Sequence, residues 1–221
     1  MANRPAYFIK DGKITERGFE FQWFAGFAPS QKQKSIASLH SAIKAAYPAA
    51  KPLEISTKGL DPLGVKLSAF NLKLDGCPLE CVFQSSKVFD DGTGKPHTEW
   101  LTLHPKEAKA AAGALHKQGI KLTGFSYNGT DFPLTPTTAF YDYIYIDAVR
   151  QTLTEDEITH IKEYDFFTDI EFNPNRSLNT QARTAALIKQ MLTDFGTLPK
   201  LSAEDFIAYH KGHIKDVRKP K

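Results

Sequence analysis

Between Leu79 and Phe89 the chain carries a carboxylate, an amide and an amine at helical spacing. At about 100° per residue, Glu80, Gln84 and Lys87 fall in one narrow polar stripe. Cys81, Val82, Val88 and Phe89 lie broadly opposite. The stripe holds an acid/base, a hydrogen-bonding clamp and a nitrogen nucleophile. A solvated face on an amphipathic helix is its plainer use.

Cutting a bond between ribose C1 and a nitrogen builds positive charge on the sugar, which a carboxylate stabilises. Glu80 is the first candidate for that carboxylate. Asp169 and Glu171 are the second, because residues two apart on an expected strand face the same way. A charged strand edge facing water fits them as well. Lys87 has a more specific use. If the scissile nitrogen is an exocyclic base amine, the sugar can open to an imine at C1. A neutral lysine exchanges onto that carbon, releases the base, and water completes the cycle. The lysine must have a lowered pKa, through burial or a neighbouring cation. A continuous helix sets Glu80 and Lys87 about two turns apart, ~10 Å along the axis, too far for a direct ion pair. A sugar fits between them with Gln84 beneath.

Phosphate groups need donors. Asn173-Pro174-Asn175-Arg176-Ser177 leads into a helix start, a natural anion site, and Arg176 and Arg183 can add charge-assisted bonds. Plain capping by Ser177 or Asn179 uses the same residues. Trp23, Phe24 and Phe27, followed by Lys32 and Lys34, pair aromatic surface with cations. Such a surface stacks a base and holds a nucleic-acid backbone. A hairpin packed on the next helix accounts for the aromatics equally.

These residues need a scaffold, and 221 residues can bury a sizeable core as one domain or a domain with an appendage. Hydrophobic residues make up 41% and charged residues 24%, as in a soluble globule. The net charge of +3 permits contact with nucleic acid without demanding it. No apolar run is long enough to span a bilayer, and Met-Ala-Asn-Arg-Pro lacks the form of a signal peptide, so cytoplasm is the expected location. Cys77 and Cys81 cannot make a four-ligand zinc site and the seven histidines are scattered; no metal and no cofactor is expected.

Along the chain, Asp11-Gly12 joins two strand-like runs, Tyr7–Ile9 and Phe19–Phe24. Ser30 with Gln33 reads as a capping box opening a helix that Pro48 ends. A strand is expected over Leu53–Thr57, a loop from Gly59 to Gly64, and an extended segment over Leu67–Leu74 before the Asp75-Gly76 turn. A helix spans Leu79–Phe89. Pro105 opens another that runs to Gln118. Asn128-Gly129 joins a second hairpin. Helices follow over the aromatic run from Thr137, over Thr154–Tyr164, over Leu178–Phe195, and after Ser202. A basic tail closes the chain. The fold class is α+β: a mostly helical single domain over 1–221 with small β-hairpins, an N-terminal hairpin-and-helix extension at about 1–50, and the tail at about 211–221.

Three ordered motifs carry a resemblance. Leu67-Ser68-Ala69-Phe70-Asn71-Leu72 follows a short strand; Glu80-x-x-Phe83-Gln84-x-x-Lys87 comes next; Asn179-Thr180-Gln181-Ala182 opens a late helix. The set resembles the NADAR family. Phe19–Phe27, Ser30–Ile36, Thr138–Asp142 and Phe167–Pro174 add a narrower likeness to the branch associated with DarT-type DNA ADP-ribosyltransferase toxins. The resemblance implies a NADAR/YbiA-like α+β enzyme that removes ADP-ribose from guanine bases in DNA or RNA, an antitoxin to such a toxin. It implies Glu80 and Lys87 as catalytic residues, and Ser68, Phe70, Asn71, Gln84 and Asn179 on the substrate. Two departures suit the toxin-linked branch: Cys81 stands where many members have histidine, and Asp169–Pro174 replaces a Trp-Gly segment. An N-glycosidase on a small ribosylated metabolite, or a non-catalytic ADP-ribose- or toxin-binding protein, are the alternatives.

Overall fold

The computed structural model describes residues 1–172 and 181–215. Its α+β class is as expected, with eight α-helices and three small sheets among the described residues. They form two compact units that interleave along the chain: Met1–Asn71 with Leu153–Pro199, and Leu72–Thr152 with Lys200–Lys221.

The first unit is built on a four-stranded sheet of order β2-β1-β9-β3. Strands β1 (Ala2–Lys10) and β2 (Lys13–Phe21) pair over their whole length, Ala2 opposite Phe21 and Lys10 opposite Lys13. Asp11 and Gly12 both have positive φ, 52° and 69°. That is the turn whose twist matches antiparallel strands, and Asx-Gly is the pair that enters it most readily. The hairpin is longer than the sequence suggested. Strand β9 (Phe166–Thr168) runs antiparallel to β1 and parallel to β3 (Pro52–Glu54). Helix α1 (Pro29–Ala46) lays Ile36, Leu39 and Ile43 on Phe19, Phe21, Phe166 and Ile170. Ser30 is not its cap: Ala28 holds that position without a side-chain bond, and Pro29, inside the helix, fixes the start. Where a loop was expected, Asp61 caps α2 (Pro62–Lys66), accepting from Leu63 N. Residues 67–71 form turns rather than an extended run. Helices α6 (Glu155–His160) and α7 (Gln181–Phe195) complete the unit; almost the whole of α7 is buried, from Gln181 to Leu192.

In the second unit Asp75-Gly76 joins β4 (Lys73–Leu74) to β5 (Cys77–Pro78), and Asn128-Gly129 joins β7 (Leu122–Tyr127) to β8 (Thr130–Phe132). All four turn residues have positive φ, as in the first hairpin. Helix α3 (Leu79–Ser85) follows β5 directly and leads into β6 (Lys87–Phe89), which pairs with β7. Helix α4 (Pro105–Lys117) packs Ala108 and Ala112 against Cys81, Phe89 and Trp100. The aromatic helix α5 (Ala139–Thr152) buries Phe140, Ile144 and Tyr145, the core role expected of it. Helix α8 (Ala203–His213) is tied to α5 by a buried contact of His210 Nε2 with Asp142 Oδ2 at 2.8 Å. Both cysteines are free thiols. No described helix is long and apolar enough to cross a membrane.

Candidate functional site

The polar stripe of the second unit is real, but it is not one helix face. Helix α3 ends at Ser85. Ser85 Oγ and Ser86 Oγ both donate to Val82 O, at 3.0 and 2.8 Å, beside the helical bond that Ser86 N makes to the same carbonyl at 3.1 Å. Lys87 is therefore a strand residue, paired with Phe125. Its amine still reaches the stripe. Lys87 Nζ donates to Gln84 Oε1 at 2.6 Å, and Gln84 Nε2 donates to Glu80 Oε1 at 2.8 Å. Gln84 is 4% exposed and both ends of its amide are engaged, which fixes its orientation. Amine and carboxylate are thus linked through one buried amide rather than held two helical turns apart.

Phe83 supports the amine from below, its ring centroid 4.9 Å from Nζ. The ring is itself locked, stacked on Phe125 at 5.6 Å and edge-on to Tyr141 at 5.1 Å. Burial pulls the Lys87 pKa down; Glu80 opposes that and Lys109 reinforces it. Burial wins, the direction an amine nucleophile needs. Phe83 belonged to the motif, but its place under the amine depends on the end of α3 and was not readable. A hollow of about 420 Å³ lined by Val82, Ser85, Ser86, Cys77 and Tyr127 adjoins other residues of α3 and includes none of Glu80, Gln84 and Lys87.

In the first unit, Asp169 is not on a strand edge. β9 stops at Thr168, and Asp169 opens a turn in which it is 6% exposed. Gln181 Nε2 donates to Asp169 Oδ2 at 2.6 Å and Glu171 N to Oδ1 at 3.0 Å. Burial pushes the Asp169 pKa up to about 6, against the pull of Gln181 and the Glu171 and Phe172 amides. The other end of Gln181 accepts from Ala69 N at 3.0 Å, so one side chain joins Asp169 to the 67–71 turn. Beside Ala69, Ser68 is fully buried and its hydroxyl has no hydrogen-bond partner among the described residues. Phe70 is 83% exposed. Asn71 spends its amide on the turn, donating to Val65 O at 2.8 Å.

Glu171 is half-exposed and pairs with Lys32 at 3.1 Å. Lys32 Nζ lies 4.8 Å from the Trp23 ring centroid, and the Arg4 guanidinium lies 5.3 Å from it. Burial lowers the Arg4 pKa and Asp169 raises it. One indole thus gathers two cations, and two carboxylates interact with those cations. Lys34 is exposed, and Arg183 is buried in α7. Arg4, Gln181, Glu54 and His40 were not singled out by sequence reasoning. Glu54 left a signal, a lone acid between Leu53 and Ile55 in an apolar strand. Arg176, Asn179, the anion site at Asn173–Ser177 and the end of the basic tail lie outside the described residues. Among the described residues no three His, Cys, Asp or Glu side chains come together as metal ligands would.

The chain thus holds a desolvated amine wired to a carboxylate, and separately a buried carboxyl beside a cation-flanked indole. No curated protein matches it. A family model does, that of the DarT1-associated NADAR antitoxin, over residues 2–219. Nearly the whole sequence is covered, both sets of residues included, and the chain belongs to the NADAR family, in its DarT1-associated antitoxin branch.

Proposed function

We propose that this antitoxin hydrolyses the N-glycosidic bond between ADP-ribose and a guanine base in DNA, reversing the lesion of its DarT1 toxin. The observation that carries this reading is the Glu80–Gln84–Lys87 relay, an amine with a lowered pKa linked to a carboxylate by a buried amide.

When the scissile nitrogen is the exocyclic amine of guanine, opening of the ribose ring leaves a C1=N bond to the base. Lys87 Nζ adds to C1, the two protons it loses pass to the departing nitrogen, and the C1–N bond to guanine breaks. The base leaves as its free amine, and C1 is held as an imine on Lys87. Water adds to that imine, the C1–Nζ bond breaks, and ADP-ribose is released with Lys87 regenerated. Glu80, bonded to Gln84, is the group that assists proton transfer. Arg183 is the candidate phosphate donor among the described residues, with Arg176 and Asn179 as further candidates. Trp23 and Phe70 offer ring surface for stacking a base, and Lys32 and Lys34 positive charge for the backbone.

A second reading is favoured by Asp169, whose pKa of about 6 suits a general base near neutrality. There Asp169 or Glu171 activates water and no lysine adduct forms.

The test supplies the full chain with a single-stranded oligonucleotide carrying one ADP-ribosylated guanine. Release of free ADP-ribose and unmodified oligonucleotide is expected, with slower release from the matching free nucleoside. Equal or better turnover of the free nucleoside favours a metabolite N-glycosidase. Tight binding without release favours a non-catalytic ADP-ribose- or toxin-binding protein. Preference for an RNA oligonucleotide assigns the substrate to RNA.

A further inference from the structure

Glu54 is a carboxyl group 3% exposed on β3, the edge strand of the four-stranded sheet that pairs with β9, and the chemistry above makes no use of it. Its two oxygens grip the chain on both sides of Asp169. Ile170 N donates to Oε1 at 2.7 Å, and Thr168 Oγ1 lies 2.6 Å from Oε2. On its other side Thr168 Oγ1 lies 3.0 Å from His40 Nε2. The hydroxyl has one proton and can point it either way. With Glu54 ionised, His40 Nε2–H donates to Thr168, and Thr168 donates to the carboxylate. With Glu54 protonated, its O–H donates to Thr168, and Thr168 donates to an Nε2 that now accepts, with the imidazole proton on Nδ1. Both arrangements satisfy every atom of the chain of bonds without moving a heavy atom.

We propose that Glu54 and Asp169 form a coupled carboxyl pair in which Glu54 carries the proton near neutrality, accommodated by reversal of the Thr168–His40 hydrogen-bond chain, while Asp169 is the ionised member. Two neighbouring acids in unlike environments divide acid and base roles this way. The surroundings favour the same division. Burial, then Asp169, pushes the Glu54 pKa up to about 7 against bonds from Ile170, Thr168 and Ser56. Asp169 stays lower, at about 6, with Gln181, two backbone amides and Arg4 on its side and Glu171 against it. Tyr7 on β1 senses both Asp169 and Arg183. Burial, helped by Lys44, pulls the His40 pKa down to about 4, so the ring stays neutral and changes only its tautomer. Glu54 is a positioning residue for Asp169. That Asp169 acts on the substrate rests on the second reading above; the pair itself does not.

The experiment is a carbon and nitrogen NMR titration of the labelled full chain. Glu54 should titrate above Asp169, and the His40 nitrogens should exchange tautomer at the Glu54 midpoint. In Glu54→Gln the amide NH₂ can donate to Thr168 and His40 should stay in the Nδ1–H form throughout, while in Asp169→Asn the Glu54 midpoint should fall as the like charge is removed. An unmoved Glu54 midpoint in Asp169→Asn, or a His40 tautomer indifferent to Glu54, overturns the pair. If Glu54→Gln does not fold, Thr168→Val decides: the Glu54 midpoint should rise and His40 should no longer follow it, and an unchanged Glu54 midpoint overturns the proposal. If the titrations behave as stated but the acid limb of the rate profile ignores the Asp169 midpoint, the pair stands and the catalytic role of Asp169 falls.

Discussion

Lys87 separates two kinds of chemistry, because only a primary amine can form the imine. Arginine keeps the charge and the cation–π contact but stays protonated. Lys87→Arg should therefore cut kcat by at least ~10³-fold with the melting temperature nearly unchanged, measured by ADP-ribose release and thermal unfolding. Gln84→Glu asks a finer question. It would place a carboxylate where Gln84 Oε1 now sits 2.6 Å from Nζ, favouring the protonated amine and raising its pKa. The rate profile should shift to higher pH, and activity at neutrality should fall. An unshifted profile would mean that the ionisation of Lys87 does not limit the rate. The Glu80, Gln84 and Lys87 residue types were legible because chemistry is read from residue types. The order of bonding was not, because it depends on α3 ending at Ser85 and on the pairing of Lys87 with Phe125, 38 positions away. Asp169 was read as a strand residue, but β9 stops at Thr168, and its bond to Gln181, 12 positions away, is one that periodicity cannot foresee.

Among the elements, the hairpins at Asp11-Gly12 and Asn128-Gly129 were the easiest to read, and the third, at Asp75-Gly76, was read only as a turn. Each is closed by an Asx-Gly pair, a purely local cause. The 5-residue α2 escaped because so short a run carries no period, although Asp61 before Pro62 was a usable start signal. This helix positions the Ser68 turn, and one glycine lets it do so. A Cβ on Gly64 would lie 2.1 Å from Glu54 O, on the strand that carries the buried acid. Gly64→Ala should cost about 1–3 kcal/mol in denaturant unfolding. Gly113, inside α4, meets nothing within 4 Å, so Gly113→Ala should gain about 0.5–1 kcal/mol. Equal effects at the two sites would contradict the close approach of α2 to β3.

At the scale of the whole molecule, the interleaving of two units was invisible in the sequence. It depends on β9, from the last third of the chain, inserting between β1 and β3, and no local pattern encodes that pairing. The insertion is also what buries Glu54 and Asp169 together, so it should leave a mark on stability. Folded-state values near 7 and 6 lie above the ordinary 4.5 and 3.8. Both groups bind protons more tightly when folded. Their contribution is fully present below the unfolded values and is lost as pH rises through 6 and 7. Stability of the wild type should decline from pH ~5 to ~8 by a few kcal/mol, and Glu54→Gln should flatten much of that slope. Parallel pH–stability curves for the two proteins would mean that Glu54 is not the buried acid responsible.

The central claim is that Lys87 becomes covalently bound to the sugar, and reductive trapping tests it most directly. Borohydride is added while the full chain turns over an oligonucleotide bearing ADP-ribosylated guanine, and the protein is mapped by mass spectrometry. The account predicts one ADP-ribosyl adduct, reduced to a stable amine and located on Lys87, absent from Lys87→Ala and Lys87→Arg. Normal ADP-ribose release by Lys87→Arg, with no adduct in the wild type, would contradict it and give the reaction to water activated by Asp169 or Glu171.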